Sequence, residues 1–236
     1  MDQEGVANRA SQLAPEMIAA GMSVDFVAVS WGAALGDSYY DAQLMDMSVF
    51  EAGLKAQEEG YDAVCIDTVS DSGMYALRSR LSIPVLGPGQ AAFHVACMLG
   101  HKFSIITMWD EWFHLYRKVL SEYKLEARCA SMRSIDTRPD LAELLAGKEE
   151  VIFQKLESEA LKAIEEDKAD VIVLGSTTMH QSYAFLQQAL PVPVINPGLI
   201  SYKLCEMFLE TGLCHSKRAF PAPQQPNDDL VLSRNN

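Results

Sequence analysis

Two similar segments, about a hundred residues apart, decide the fold. Residues 61–68 read YDAVCIDT, and residues 169–176 read ADVIVLGS. Each is a short apolar run that ends on a small hydroxyl residue, Thr68 or Ser176. A second pair of blocks follows at nearly the same interval, IPVLGPG at 83–89 and VPVINPG at 192–198. An apolar helical pattern comes next in both cases, so one strand-helix unit is used twice.

Other apolar runs extend this alternation along the chain. Short runs rich in Val and Ile, bounded by Gly, Pro or polar residues, predict buried strands. We expect strands at 24–30, 63–67, 84–86, 103–107, 171–174 and 193–195. Helical spacing predicts helices at 49–59, 73–81, 91–99, 112–123, 141–166, 183–190 and 199–210.

Strand-helix alternation predicts an α/β fold with parallel sheets covered by helices. The repeat adds two pseudo-symmetric αβα lobes. We expect the first lobe at residues 1–107 plus 199–236 and the second at 108–198, with a cleft between them. In this arrangement Thr68 and Ser176 end equivalent strands.

Charge and cysteine usage narrow the class of protein. The net charge is −13, and no basic cluster is longer than Lys217-Arg218, which excludes nucleic acid as the expected partner. There is no run of about 18 apolar residues and no signal-peptide pattern, so we expect no membrane association and a cytoplasmic protein. The five cysteines are scattered singly, which predicts neither a disulfide framework nor a metal site.

Polar loops follow the two repeated strands. Ligands of parallel sheets bind beyond the carboxyl ends of the strands, where helix N-termini present free N–H groups. Small hydroxyl residues there cap a helix or donate to a bound carboxylate. The first loop offers Asp67, Thr68, Ser70, Asp71 and Ser72, and the second offers Ser176, Thr177, Thr178 and His180.

At this point the sequence resembles the aspartate/glutamate/hydantoin racemase superfamily, and its hydantoin racemase branch in particular. The resemblance lies in residues 61–73, in IPVLGPGQAAFHVA at 83–96, in KFSIIT at 102–107 and in ADVIVLGSTTM at 169–179. It implies an Asp/Glu racemase-like fold and cofactor-independent proton transfer on a small-molecule substrate. It also implies an opening strand, for which residues 1–21 hold no convincing candidate.

In that family two cysteines flank the substrate as paired acid and base. Their positions match Thr68 and Ser176 here. An alcohol is several pKa units less acidic than a thiol, and each unit costs about 1.4 kcal/mol toward the anion. We therefore expect a lyase, decarboxylase, hydrolase or other isomerase acting on a small carboxylate or cyclic amide, more than a two-cysteine racemase. A catalytically silent binding protein is the alternative.

Each candidate residue has a second interpretation. Thr68 and Ser176 serve in catalysis and substrate contact, or they only cap helices; Ser70, Ser72, Thr177 and Thr178 bind substrate or cap. Asp67 and Asp71 are candidate general bases, or an ion-pair partner and an N-cap. His180 follows Ser176 by one helical turn, within possible reach of it. Cys65 is interpreted as a core residue.

Three further expectations concern the edge formed by the carboxyl ends of the predicted strands and the protein surface. Trp31 and Trp109 follow strands and either line the pocket or pack between subunits. Arg9, Arg133 and Arg138 are candidates for a cationic clamp. The Pro-containing tail, 220–236, is expected to be extended or disordered or, if ordered, to lie on a neighbouring subunit of a homo-oligomer.

Overall fold

The computed structural model describes residues 3–138 and 149–232 of the 236-residue chain. Helices and strands alternate as the sequence predicts. In chain order the elements are α1 Gln3–Ala10, α2 Tyr39–Gly53, β1 Val64–Cys65, α3 Met74–Arg80, β2 Val85–Leu86, α4 Pro88–Leu99, β3 Phe103–Thr107, α5 Phe113–Tyr123, β4 Cys129–Ser134, α6 Glu149–Glu165, β5 Val171–Leu174, α7 Tyr183–Ala189, β6 Val194–Ile195, α8 Pro197–Thr211 and α9 Asp229–Leu232. Short 3-10 turns lie at Pro15–Met17, Asp110–Trp112, Glu126–Arg128 and Thr177–Ser182.

The chain divides into two compact units. The first unit takes Met1–Ile66, Asp71–Gly87 and Ser201–Asn236, and the second takes Asp67–Ser70 and Pro88–Ile200. As in the lobes predicted from sequence, both ends of the chain belong to the first unit, and the short segment Asp67–Ser70 is an additional part of the second. The lobe boundaries at 107/108 and 198/199 stay a prediction, since the compact units change at Gly87/Pro88 and Ile200/Ser201.

In the second unit the sheet is four-stranded and parallel, in the order β4-β3-β5-β6. Side chains alternate between its faces, so Phe103 and Ile105 of β3 pack in one core cluster and Ile106 packs in another. All five residues of β3 and all four of β5 are buried. Burial on both faces explains why these strands are continuous apolar runs.

In the first unit the sheet is two-stranded, with β1 parallel to β2. Val64 pairs with Val85 there, and in the second unit Ile172 pairs with Val194. Val64 lies four residues before Thr68, and Ile172 lies four before Ser176. The two copies of the repeat therefore have the same strand register, and the α/β fold with parallel sheets is confirmed.

Three parts of the chain differ from the sequence predictions, and part of a fourth prediction lies outside the described residues. Residues 24–30 form no strand and have no ladder partner among the described residues; the run alternates half-buried and exposed positions, with Val27 67% exposed. Helix α2 begins ten residues earlier than predicted because Ser38 caps it, accepting from the Asp41 N–H at 3.1 Å. Strand β4, unpredicted, is a half-buried edge strand without a continuous apolar run. The first part of the predicted helix 141–166 lies outside the described residues.

The described part of the tail, residues 220–232, packs on its own unit rather than extending away from it. The Arg80 guanidinium makes a bidentate pair with Asp228, with a closest distance of 2.7 Å. The Ser79 hydroxyl donates to the Pro221 carbonyl at 2.5 Å. These contacts to α3 order residues 220–232, where the sequence predicted an extended or disordered tail, and contact with a neighbouring subunit stays a prediction. Within the described residues, no helix is both long and apolar enough to cross a membrane.

Candidate functional site

The turn after β5 positions Ser176. The strand ends at Leu174, Gly175 follows, and Ser176 becomes the N-cap of the 3-10 turn Thr177–Ser182. The Ser176 Oγ accepts from the Thr178 N–H at 3.2 Å and lies 2.7 Å from the Thr178 Oγ1. These two contacts fix the Ser176 hydroxyl at the carboxyl end of the strand, where the residue is half-buried.

A buried tyrosine fixes the backbone just before Ser176. The Tyr116 hydroxyl donates to the Gly175 carbonyl at 2.8 Å. The Tyr116 hydroxyl oxygen also lies 2.8 Å from the Thr107 Oγ1. Because the phenol proton is donated to Gly175, the Thr107 hydroxyl is the donor in this second bond. Burial raises the pKa of Tyr116, so the phenol stays protonated. A Cβ on residue 175 would lie 2.7 Å from both the Thr107 Cβ and the Tyr116 hydroxyl, which is why glycine stands there.

The loop after β1 is held in the same way. Residues Asp67–Ser70 belong to the second unit, where the Thr177 hydroxyl donates to the Asp67 carbonyl at 3.0 Å. Val69 packs in the core, Ser70 is buried and Thr68 is half-buried. The Thr177–Asp67 hydrogen bond therefore joins the two loops. Thr68 and Ser176 each follow a carbonyl that accepts a side-chain hydroxyl.

His180 lies in this turn but points to Thr177. In a 3-10 helix residues i and i+3 align, so His180 lies over Thr177 rather than over Ser176. The His180 Nδ1 is 3.0 Å from the Thr177 carbonyl oxygen. A carbonyl only accepts, so Nδ1 carries the proton in this bond, and Nε2 of a neutral ring is the nitrogen that accepts. The predicted pairing with Ser176 assumed an α-helical turn.

Asp71 and Ser72 lie in the first unit, and both are buried. The Asp71 carboxylate lies against Gly87, where an added Cβ would meet its Oδ1 at 2.4 Å. Asp71 has a positive φ of 52° and is not an N-cap. Gly73 is the N-cap of α3, with φ 69°, and its N–H donates to the Asp46 Oδ1 at 3.1 Å.

The predicted tryptophans and arginines have separate places. Trp31 lies in the first unit and donates its indole N–H to the Glu51 carboxylate. Trp109 lies in the second unit just after β3, with the Arg138 guanidinium 5.9 Å from its ring centre. Arg133 bonds Asp167 and Glu166, both at 2.6 Å, so its charge serves an ion-pair network. Arg9 lies in α1.

Sequence reasoning missed the residues that hold the site. Tyr116 and Thr107 read as helix and strand interior, and no local motif marks them. Asn196, buried after β6, was also missed; its Oδ1 accepts from the N–H groups of Gly198 and Leu199 at 3.2 and 3.4 Å and so caps α8. The VPVINPG block carried that signal, because an Asn before Pro-Gly is a typical cap.

The core interpretation of Cys65 is wrong, because its thiol is exposed. Strand β1 is only two residues long, and Cys65 is its exposed second residue. Within residues 3–138 and 149–232, no three His, Cys, Asp or Glu side chains are grouped to hold a metal ion.

Comparison with known proteins decides the family. The model of the family described as Asp/Glu/Hydantoin racemase matches residues 4–205. The chain belongs to this family. It is 31% identical over 201 residues to a hydantoin racemase of Pseudomonas sp. (strain NS671), covering 84% of this chain and 80% of that one. It is 34% identical over 167 residues to a hydantoin racemase of Rhizobium meliloti, covering 69% and 66%.

Solved structures show the same fold. An allantoin racemase from Klebsiella pneumoniae superposes with a TM-score of 0.86 at 26% identity, covering 96% of this chain and 91% of that one. A glutamate racemase from Bacillus anthracis superposes with a TM-score of 0.64 at 18% identity, covering 90% and 80%. The Asp/Glu racemase-like fold is confirmed, whereas the expected preference for a lyase, decarboxylase or hydrolase finds no support in these relatives.

Proposed function

We propose that this protein is a cofactor-independent racemase of a small cyclic amide, a 5-substituted hydantoin or allantoin. The observation that carries the proposal is the family membership, with hydantoin racemases among the relatives by sequence and an allantoin racemase by structure. The two joined loops of the second unit supply polar groups suited to such a substrate. Racemisation at carbon 5 needs a proton removed from one face of the ring and a proton returned on the other.

Thr68 and Ser176 hold the substrate in this proposal. Removing the proton next to a carbonyl places negative charge on the carbonyl oxygen, and preorganised hydroxyl and N–H donors stabilise that charge. Their own ionisation is costly, because an alcohol is several units less acidic than a thiol and each unit costs about 1.4 kcal/mol. The hydroxyls are therefore hydrogen-bond donors to the enolate, supported by the buried or half-buried polar groups of Ser70, Thr177 and Thr178.

The proton carriers are His180 and the aspartates. The Nδ1 bond to the Thr177 carbonyl leaves His180 Nε2 as the basic nitrogen of a neutral ring, which suits a general base near neutral pH. Asp67, in the same unit, is the carrier proposed for the opposite face, and Trp109, also in that unit, is proposed as a wall of the pocket. Asp71, Trp31 and Ser72 lie in the first unit and keep the catalytic and binding roles predicted from the sequence. A homo-oligomeric cytoplasmic enzyme also stays our prediction.

The test is proton NMR in deuterated water with single enantiomers of allantoin and of 5-substituted hydantoins. We expect loss of the carbon 5 proton signal together with loss of optical rotation, faster than in samples without protein. Thr68→Ala and Ser176→Ala should each lower the rate by about a hundredfold, as expected for loss of an oxyanion donor. Substitution of the exposed Ser216 by Ala is the matched control and should leave the rate unchanged.

Three results separate the alternatives. Exchange with racemisation supports the proposal. A new product signal would contradict it in favour of a lyase, decarboxylase or hydrolase. Saturable binding of these compounds without exchange would support the silent binding protein, the alternative that the hydroxyls at the two cysteine-matching positions favour.

A further inference from the structure

The first unit presents an exposed thiol that the proposed reaction does not use. Cys65 is the second residue of β1 and is exposed. Its Sγ lies 3.0 Å from the Oγ of Ser201, near the start of α8. Ser201 is fully buried, so the thiol is held against the helix instead of rotating freely in solvent.

A second thiol lies one helical turn further on. Cys205 follows Ser201 by four residues in α8, and residues four apart in a helix share a face. The Cys205 Sγ is 3.8 Å from the Val64 carbonyl oxygen, which immediately precedes Cys65 in β1. The neighbouring Cys65 thiol, together with burial, raises the pKa of Cys205. Cys205 is thus the protonated, protected partner, and Cys65 is the accessible one.

We propose that Cys65 and Cys205 are an oxidative modification site, at which hydrogen peroxide or a similar peroxide converts the two thiols to a reversible disulfide. In the first step the Cys65 sulfur attacks one peroxide oxygen and the O–O bond breaks, giving Cys65 sulfenic acid and one water from hydrogen peroxide, or one alcohol from an organic hydroperoxide. In the second step the Cys205 sulfur attacks the Cys65 sulfur, releasing water and forming the S–S bond. Two electrons pass from the thiols to each peroxide.

The other cysteines lack such a partner among their described contacts. Cys129 is half-buried, and burial raises its pKa to about 12, which keeps it a thiol. Burial also raises the pKa of the half-buried Cys97. Cys214 is exposed like Cys65, but its described contact is the Ser82 carbonyl, at 3.0 Å. Cys214 therefore serves as the matched control for exposure without a partner thiol.

The experiment treats the full-length protein with hydrogen peroxide, blocks free thiols at acid pH and maps the peptides by mass spectrometry. We expect one linked peptide pair containing Cys65 and Cys205, lost again after incubation with dithiothreitol. Cys65→Ser should abolish the link, and Cys214→Ser should leave it unchanged. Cys205→Ala should leave Cys65 as a sulfenic acid that reacts with dimedone.

Two outcomes would overturn the proposal. One is a wild-type protein in which Cys65 is oxidised to sulfenic or sulfinic acid and no link to Cys205 forms. The other is a link that joins Cys65 to Cys214 or to a second chain. Because wild type and Cys214→Ser decide the matter, a folding defect of Cys205→Ala does not obscure it.

Discussion

The residues before the two strand-end hydroxyls compare directly: Asp67 in the first copy of the repeat and Gly175 in the second. Both carbonyls accept a buried side-chain hydroxyl, from Thr177 and from Tyr116 respectively. The side chains differ because Tyr116 and Thr107 fill the space over residue 175. In both copies of the repeat, a side-chain hydroxyl from elsewhere in the chain therefore fixes the carbonyl that precedes the strand-end hydroxyl residue.

The strands that lead to these residues differ as well. Strand β5 lies between β3 and β6 and is buried at all four positions. Strand β1 pairs only with β2 among the described residues and ends on an exposed cysteine. The second copy is therefore the rigid one, and its substitutions should be the more destabilising.

The largest effect should come from Gly175→Ala. Its Cβ would overlap the Thr107 Cβ and the Tyr116 hydroxyl at 2.7 Å, and overpacking of a tight core costs about 3 kcal/mol. Urea denaturation followed by circular dichroism measures this loss. Gly60→Ala, where no atom lies within 4 Å but φ is +91°, is the control and should cost about 1 kcal/mol. Equal losses in the two variants would refute the steric account.

Removing the two hydroxyl donors should also cost more stability in the second copy of the repeat than in the first. Tyr116→Phe leaves the buried Gly175 carbonyl without this donor and Thr107 without its acceptor, so we expect a loss of about 2 kcal/mol. Thr177→Val removes the hydroxyl that donates to the Asp67 carbonyl, and we expect a loss of about 1 kcal/mol. Urea denaturation measures both losses, because a shift in the midpoint concentration with an unchanged m value reports a change in the free energy of unfolding. A larger loss for Thr177→Val would reverse the order of rigidity between the two loops.

The smallest effect is a pH dependence confined to the first unit. The Val85 N–H of β2 donates to the His215 Nε2 at 2.8 Å, so the ring is neutral. Burial, Arg78 and Lys217 lower the pKa of His215 to about 4. In the unfolded chain the histidine binds its proton near pH 6.5. The stability that the neutral, hydrogen-bonded His215 contributes is therefore complete above pH 6.5 and is lost as the pH falls toward 4.

The size of that loss is modest because His215 is partly exposed. We expect about 1 kcal/mol between pH 7 and pH 4, after allowance for solvent screening. Denaturation at a series of pH values, compared with His215→Gln, isolates it. The glutamine amide oxygen accepts from Val85 without titrating, so the variant should have a shallower slope. Identical slopes would exclude His215 as the source.

The sequence predicted the buried strands well because both of their faces are covered. The bounds of β3 and β5 match the prediction residue for residue, since an uninterrupted apolar run has a single explanation there. Residues 24–30 carry a similar run, but a strand also requires a ladder partner, which composition does not reveal. Strand β4 failed for the opposite reason, because an edge strand with one polar face gives a weak signal.

The candidate site was predictable only in part. The repeat located Thr68 and Ser176, because a strand end followed by hydroxyl residues is visible in the sequence. Tyr116 and Thr107 act through tertiary contacts from elements 59 and 68 residues before Gly175, so no local pattern marks them. The turn after Ser176 was predicted as α-helical, which placed His180 over Ser176. The turn is a 3-10 helix, and the His180 Nδ1 lies 3.0 Å from the Thr177 carbonyl oxygen.

The central claim is that Thr68 and Ser176 occupy the reactive positions of a racemase. Its most direct test is the deuterium exchange rate at carbon 5 of an enantiopure hydantoin for wild type, Thr68→Cys, Ser176→Cys and the double variant. Thiols ionise far more readily than alcohols, so the account predicts that the double variant exchanges and racemises at least about tenfold faster than wild type. A double variant that folds normally, binds the hydantoin and exchanges no faster than wild type would contradict it.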